Sequence, residues 1–244
     1  MRPALTFLFS LLMLVSSPYA AATSAPQARV LIFTKTAGWR HDSIPTAVAT
    51  LRRLGAQQGM QVDHTEDAGW FEPVRLARYQ AVVFANTTLD VLDEAQQAAL
   101  ESFVRGGGGF MGVHSAADTE HGWPWYGQLV GAWFANHPPG LQTTRVVREH
   151  DGVATGETWT VTDEIYNYRS NPRAQVEVIA TVKEEDYAGG SMGPDHPIAW
   201  CRAFDGGRSW YTGLGHEIAI YGKAEFQQQL VRGLRYASGL SVEC

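Results

Sequence analysis

The sequence has few cysteines and little charge, and these shortages exclude several classes of protein. Its 244 residues include two cysteines, Cys201 and Cys244, and 18% charged residues, with a formal net charge of -6. An acidic balance of this kind argues against nucleic-acid binding, which usually requires a basic patch. The cysteines could pair in an oxidising compartment, but a buried free Cys201 fits the sequence equally well.

Two frequent catalytic motifs are also absent. There is no Gly-x-Ser-x-Gly, and neither cysteine follows an elbow-like strand end, which argues against nucleophilic catalysis. Residues 106–109 are four glycines, but no Lys-Ser/Thr pair follows them and they precede a strand, so they do not form a phosphate-binding loop. They indicate instead the end of a helix and a tight turn.

A long apolar run occurs only at the start of the sequence. Residues 5–15 are apolar, Arg2 precedes them, and small residues follow at 16–22. This order is typical of a signal peptide, and the run is too short to span a bilayer comfortably. We therefore expect residues 1–22 to be a signal peptide, the protein to be periplasmic or extracellular, and the mature chain to lack a membrane segment.

The periodicity of apolar residues predicts one α/β domain over residues 29–240. Continuous apolar runs predict strands buried on both faces, with amphipathic helices between them as far as residue 118. The predicted strands of this part are 29–34, 61–64, 80–85 and 110–113. Such alternation is typical of a doubly wound, mostly parallel sheet.

After residue 123 the pattern changes to strands without long helices between them. A turn at Asp205-Gly206-Gly207 predicts a hairpin, and apolar residues from Phe226 to Tyr236 predict a last helix. The predicted strands here are 143–149, 158–162, 175–182, 197–204 and 208–212. We interpret this part as a β-rich extension of the sheet.

Seven of the eight histidines lie at predicted strand ends or in loops. His41 follows the first strand, His114 the fourth, and His216 a late strand. Because ligands bind beyond the carboxyl ends of parallel strands, we expect His41 and His114 to face one crevice. Of the others, His137 is interpreted as a further ligand or a turn residue, and three as solvated: His64, His121 and His150.

Two chemistries fit such a cluster of histidines. His41, His114 and His216, with a carboxylate from Asp118 or Glu164, could bind a zinc-like divalent metal and leave a position open for water or substrate. The same imidazoles and carboxylates could instead act without metal as general acids and bases. The candidate catalytic residues are therefore His41, His114, Asp118 and Glu164, and the candidate metal ligands are His41, His114 and His216.

Aromatic side chains next to polar groups indicate recognition of a hydroxyl-rich small molecule. Glu164, Tyr166 and Arg169 occur together in a segment that also holds other aromatic residues. Flat apolar rings beside a few polar groups suit a carbohydrate. The candidate substrate contacts are Trp39, Trp125, Tyr166, Arg169 and His196.

Several longer segments resemble the ThuA-like (trehalose-utilisation) family. They are FTKTAGWRHDSI at 33–44, GGGFMGVHSAADT at 107–119, and the segments 123–126, 166–173, 196–201 and 206–216. The resemblance implies a flavodoxin-like, class I glutamine amidotransferase-like fold. In amidotransferases a catalytic cysteine follows the strand that corresponds to 110–113. Here His114 and Ser115 occupy that place, so we do not expect amidotransferase activity.

The resemblance also implies a role in the use of trehalose and related disaccharides, with 3-keto-glycosides as substrates. A keto group at C3 acidifies the C2 proton, so a base and an enolate-stabilising metal or donor could drive loss of the C1 substituent. We therefore expect an exported lyase or hydrolase of oxidised glycosides. Two alternatives remain open: a non-catalytic sugar-binding module, and a metal-dependent hydrolase of another small ester or amide.

Overall fold

Eleven strands and five α-helices make up the part of the chain that the computed structural model describes, residues 27–151 and 153–244. The expected signal peptide, 1–22, lies outside these residues. The elements are β1 (Arg29–Phe33), α1 (Ile44–Gln57), β2 (Gln61–Thr65), α2 (Pro73–Leu76), β3 (Ala81–Ala85), α3 (Glu94–Arg105), β4 (Gly109–Val113), α4 (Pro124–Val130), β5 (Phe134–Asn136), β6 (Gln142–His150), β7 (Val153–Asp163), β8 (Asn167–Tyr168), β9 (Glu177–Val182), β10 (His196–Phe204), β11 (Gly207–Thr212) and α5 (Ala224–Ala237). Among them, no helix is long and apolar enough to cross a bilayer.

Nine of the strands form one sheet, in the order β2-β1-β3-β4-β11-β10-β9-β6-β7. The first five strands pair in parallel, and the others pair antiparallel. The parallel part has the flavodoxin-like order, in which β11 occupies the fifth position. The predicted mostly parallel α/β sheet with a β-rich extension is therefore confirmed.

Strand β1 shows why the parallel strands are apolar at every position. Val30 and Ile32 pack into the core on one face of the sheet, under α1 and α5. Leu31 and Phe33 pack into the core on the other face, under α2, α3 and α4. Because helices cover both faces, side chains pointing in either direction are buried, and the strand reads as a continuous apolar run.

The elements that the sequence did not predict are short or exposed. Strands β5 and β8 form a separate two-stranded sheet, and each has two or three residues. Strand β7 begins at Val153, five residues before the predicted start at residue 158. The prediction missed these residues because they are exposed at the edge of the sheet and have no buried apolar face. Burial, on which the periodicity depends, is missing there.

A disulfide bond joins Cys201 in β10 to Cys244, which follows α5. The sequence left this pairing open. The bond closes a loop with a sequence separation of 43 residues, which contains β11 and α5. It therefore ties the segment after α5 to the middle of the sheet.

Replacing Cys244 with alanine should destabilise the fold. A cross-link over a loop of this length restricts the unfolded chain by about 4 kcal/mol in the chain-entropy treatment. We expect Cys244→Ala to lower the free energy of unfolding by an amount of this order, measured by urea denaturation. Reductant should lower the stability of the parent protein similarly and leave the variant unchanged. Equal stability of parent and variant under oxidising conditions would contradict the prediction.

Candidate functional site

The carboxyl ends of the parallel strands meet at one edge of the sheet, where histidines converge. The rings of His41 and His114 have centroids 4.8 Å apart. The ring of His216 lies 5.1 Å from that of His41 and 5.3 Å from that of His114. Three residues that are far apart in the sequence thus lie in direct contact, as the parallel arrangement requires.

Glu164, which follows β7, supplies a carboxylate to this cluster. Its Oε2 lies 3.5 Å from Nε2 of His114 and 3.3 Å from Nδ1 of His216. Its Oε1 lies 3.3 Å from Nδ1 of His137. One ligand atom from each of four residues lies within 4.8 Å of the others: His41, His114, Glu164 and His216.

His114 is held in place by the backbone on both sides of it. It has a φ of 50°, which is uncommon for a residue with a side chain, and it begins a 3₁₀ turn, His114–Asp118. Its Nδ1 lies 2.8 Å from the carbonyl oxygen of Gly213. Because a carbonyl only accepts, Nδ1 carries the proton, and Nε2 of the neutral ring keeps a lone pair.

His41 is an uncharged imidazole near neutral pH. Burial, together with the charges of His114 and His216, lowers the pKa of His41 to about 3. The hydroxyl of Ser115 lies 3.4 Å from Nδ1 of His41, and Ser115 is fully buried. Ser115 therefore contacts His41 and is not accessible as a nucleophile.

The histidines around Glu164 stabilise its carboxylate as an anion. Burial alone would raise the pKa of Glu164, but hydrogen bonding and charge from His114 and His216 hold that pKa well below its usual range. The same carboxylate raises the pKa of His216. Nε2 of His114 and Nδ1 of His216 lie near Oε2 of Glu164 and have no well-aligned hydrogen bond to any described residue. These two nitrogens and the carboxylate oxygen are therefore three atoms that a small cation could share.

The interatomic distances fit a small divalent ion. In a tetrahedral zinc site with bonds of about 2.1 Å, neighbouring ligand atoms lie about 3.4 Å apart. The two distances from Glu164 Oε2 to histidine nitrogens, 3.5 and 3.3 Å, are close to this value. Separations of up to 4.8 Å elsewhere in the cluster require a small inward movement of side chains. The residues that could hold the ion are His41, His114, His216 and Glu164.

Asp163 fixes the loop that carries His216, a role that the sequence analysis missed. Its carboxylate accepts hydrogen bonds from the backbone N–H groups of Gly215, at 2.7 Å, and Glu217, at 2.8 Å. Burial raises the pKa of Asp163, although His114 and these N–H groups oppose the shift. Its position at the end of a strand, next to Glu164, was the available signal in the sequence.

The carbonyl oxygen of Gly215 is the second attachment point of this loop. It accepts hydrogen bonds from the hydroxyls of Ser43 and Tyr221, each at 3.0 Å, and from the amide of Asn86 at 3.2 Å. Ser43 lies after β1, Tyr221 after β11 and Asn86 directly after β3. The backbone before His216 is therefore held from three directions.

A cleft of about 360 Å³ opens over the cluster. Trp39 lies at its edge with 73% of its surface exposed, and the ring of Tyr166 packs 4.3 Å from that of His114. The lining residues are Trp39, His41, Thr88, Asp118, Phe134, His137, Glu164, Tyr166 and His216. A larger cavity of about 460 Å³ lies at the opposite edge of the sheet, but Arg208 is the one charged residue in its lining. We therefore place the candidate site in the smaller cleft.

Three of the predicted substrate contacts are absent from the lining of this cleft: Trp125, Arg169 and His196. Trp125 donates a hydrogen bond from Nε1 to Asp205, in the turn at the amino-terminal edge of β11. His196 is fully buried, with Nε2 2.9 Å from the carbonyl oxygen of Tyr166 and Nδ1 2.8 Å from Glu184. The structure therefore does not bring Trp125 or His196 to the site.

Two histidines that were expected to be solvated have partners in the structure. His121 lies between Asp118 and Arg169, and its ring nitrogens contact both side chains. Arg169 reaches the cleft only through this contact. His64 is partly buried, with Nε2 2.7 Å from the hydroxyl of Thr34. The expectation of solvation is therefore wrong for His121 and His64.

Comparison with known proteins agrees with the fold and the sequence motifs. The family model ThuA, described as trehalose utilisation, matches residues 29–237. The chain belongs to the ThuA family. The resemblance noted in the sequence is thereby confirmed. A search of curated proteins gave no match for this ThuA protein.

Solved structures with the same fold include two ThuA-like proteins. The one from Bacteroides uniformis is 21% identical, with a TM-score of 0.72 over 91% of this chain and 95% of that chain. The one from Parabacteroides merdae is 19% identical, with a TM-score of 0.69 over 87% and 91%. A β-galactosidase from Bacillus circulans is 15% identical, with a TM-score of 0.55 over 87% of this chain and 31% of that chain. At these identities the likeness shows a common fold.

Removing the carboxylate of Asp163 should release the loop that carries His216. We expect Asp163→Ala to lower the free energy of unfolding by about 2 kcal/mol or more, because an unsatisfied buried donor costs about 1–3 kcal/mol. Amide hydrogen exchange at Gly215 and Glu217 should become faster. Thr160→Ala, at an exposed position of the same strand, is the control and should change neither quantity. Unchanged exchange in Asp163→Ala would show that other contacts hold the loop.

Proposed function

We propose that this ThuA protein is an enzyme that cleaves 3-keto-glycosides in disaccharide utilisation. The observation that supports this most directly is the convergence of three imidazoles and Glu164 at the base of a cleft. Convergent titratable groups with shifted pKa values are typical of active sites. The exposed ring of Trp39 at the edge of the cleft suits the apolar face of a sugar.

We propose that a zinc-like divalent ion is the cofactor, held by His41, His114, His216 and Glu164. When bound, such an ion would act as a Lewis acid and stabilise negative charge on a substrate oxygen, which zinc can take as a fifth ligand. The neutral ring of His41 and the lone pair on Nε2 of His114 suit a role as ligands. The Gly213 carbonyl orients the ring of His114, as an outer-shell partner of a ligating histidine does.

Residues of the cleft can carry the proton transfers of the proposed reaction. The carboxylate of Asp118, which lies on the wall of the cleft and outside the cluster, accepts the acidic C2 proton. The electrons of the C2–H bond form a C1–C2 double bond as the C1–O bond breaks, and the leaving oxygen takes up a proton. His137 is the proposed donor, because its side chain is 36% exposed in the cleft, against 27% for His216 and 0% for His114.

Export from the cytoplasm is a further part of the proposal. It rests on the predicted signal peptide at 1–22 and is supported by the bond between Cys201 and Cys244. Disulfide bonds persist in oxidising compartments and are rare in the cytosol.

The proposed reaction predicts a sharp preference for oxidised substrate. Purified mature protein should release monosaccharide from a 3-keto-disaccharide, and it should leave the unoxidised disaccharide intact because that sugar lacks an acidic C2 proton. Chromatography of the products measures both. His114→Ala should abolish turnover without unfolding the protein. His150→Ala, at an exposed site, should leave turnover unchanged. No turnover of either sugar would contradict the proposal, and sugar affinity without turnover would indicate a binding module.

The proposed cofactor predicts stoichiometric metal binding. We expect about one equivalent of Zn²⁺ per chain by elemental analysis of metal-replete protein, as a site of four protein ligands requires. Titration calorimetry should show that His216→Ala weakens binding by more than about 100-fold, the upper end of the loss for an outer-shell partner. His150→Ala is again the control. Turnover that survives complete removal of metal would favour metal-free acid–base catalysis by the same residues.

A further inference from the structure

A chain of three polar side chains runs from the protein surface to the wall of the cleft. Nη2 of Arg169 lies 2.9 Å from Nδ1 of His121, and Nε2 of His121 lies 2.7 Å from Oδ1 of Asp118. Asp118 lines the cleft, whereas Arg169 is exposed. None of the three belongs to the cluster of His41, His114, His216 and Glu164.

The partners of His121 determine which of its nitrogens carries the proton. A guanidinium group only donates hydrogen bonds, so Nδ1 of His121 must accept from Arg169. In the neutral imidazole the other nitrogen then carries the hydrogen, and Nε2 donates it to Asp118. The carboxylate of Asp118 accepts this bond as an anion, and the distance of 2.7 Å is typical of a charge-assisted bond.

This bond occupies one oxygen of Asp118 and leaves the other without a partner among the described residues. Asp118 is also the last residue of the 3₁₀ turn that His114 begins. At about 2 Å of rise per residue, such a turn sets its two ends about 8 Å apart. Asp118 lines the cleft, so its second oxygen is available to a molecule bound there.

Neighbouring contacts hold Arg169 in the orientation that this chain requires. Its guanidinium lies over the ring of Trp133, 5.4 Å from the ring centroid. Its backbone N–H donates to the carbonyl of Trp133, and Nε1 of Trp133 donates to the carbonyl of Thr119, next to Asp118. Trp133 thus contacts both Arg169 and the backbone next to Asp118.

Fold stability alone does not account for these contacts. The side chains of His121 and Asp118 are 24% and 25% exposed, and a hydrogen bond that water can replace contributes only about 0.5–1.5 kcal/mol. The contacts do fix the orientation of a carboxylate in the cleft, which is a requirement for proton abstraction.

We propose that His121 and Arg169 are positioning residues that hold Asp118 as an ionised proton acceptor on the wall of the cleft. This inference rests on the proposed function for the identity of the proton that Asp118 accepts, the one at C2 of a 3-keto-glycoside. It changes the predicted role of Arg169, which acts through His121 and not through direct contact with substrate.

The first test needs no substrate. In the full mature protein labelled with ¹⁵N-histidine, the chemical shifts of His121 near neutral pH should show an unprotonated Nδ1 and a protonated Nε2. Arg169→Met should convert this signal into a mixture of tautomers, because it removes the donor to Nδ1. A protonated Nδ1 in the parent protein would overturn the inference.

The second test uses kinetics with a 3-keto-disaccharide. His121→Phe keeps a ring against Trp133 but removes the donor, and it should lower kcat by about 10- to 100-fold with little change in KM, as misplacement of a reacting group does. His121→Gln places an amide N–H near the position of Nε2 and should recover most of the lost kcat. His150→Phe is the matched control and should behave as the parent protein does.

The two tests separate the outcomes. Unchanged kcat in His121→Phe, or no recovery in His121→Gln, would overturn the positioning role. If the parent protein does not turn over any keto-glycoside, the proposed function fails, and the tautomer of His121 decides this inference by itself. Zinc content should be the same in all the variants, and its loss in His121→Phe would show that the substitution acts on the cluster instead.

Discussion

The parallel pairing of β4 with β11 is the constraint on which the rest of the site depends. Thr212 in β11 lies beside Val113 in β4, so the residues after both strands leave the sheet at the same edge. His114 and His216 belong to those following segments, although about a hundred residues separate them in the chain. Without this pairing the antiparallel extension would have no attachment to the parallel sheet, and Glu164 would not reach the histidines.

Glu164 is the electrostatic centre of the arrangement. Its two oxygens face three imidazoles, those of His114, His216 and His137, at 3.3 to 3.5 Å. Because a buried anion is stable only near compensating positive charge, these contacts lower the pKa of Glu164 and raise the pKa of His216.

The sequence was sufficient to predict the sheet and the convergence of its strand ends, because burial on two faces and the parallel rule leave clear patterns. It was insufficient where tertiary contacts decide the outcome. His196 begins an antiparallel strand and turns into the core, and Trp125 lies in the first turn of α4, where it contacts Asp205 at the opposite edge of the sheet. The periodicity of apolar residues does not show at which edge of the sheet an aromatic side chain such as Trp125 lies. It also gives no information on contacts between distant residues such as His121 and Arg169.

The two sides of the candidate site are attached to the large sheet in different ways. One side is the 3₁₀ turn from His114 to Asp118, which follows β4 directly. A longer turn would change the position of the Asp118 carboxylate relative to the imidazole of His114. The segment around β5, which supplies Phe134 and His137, pairs with β8 in a separate two-stranded sheet. A change in the segment around β5 would therefore reshape one wall of the cleft and leave the strand order of the large sheet as it is.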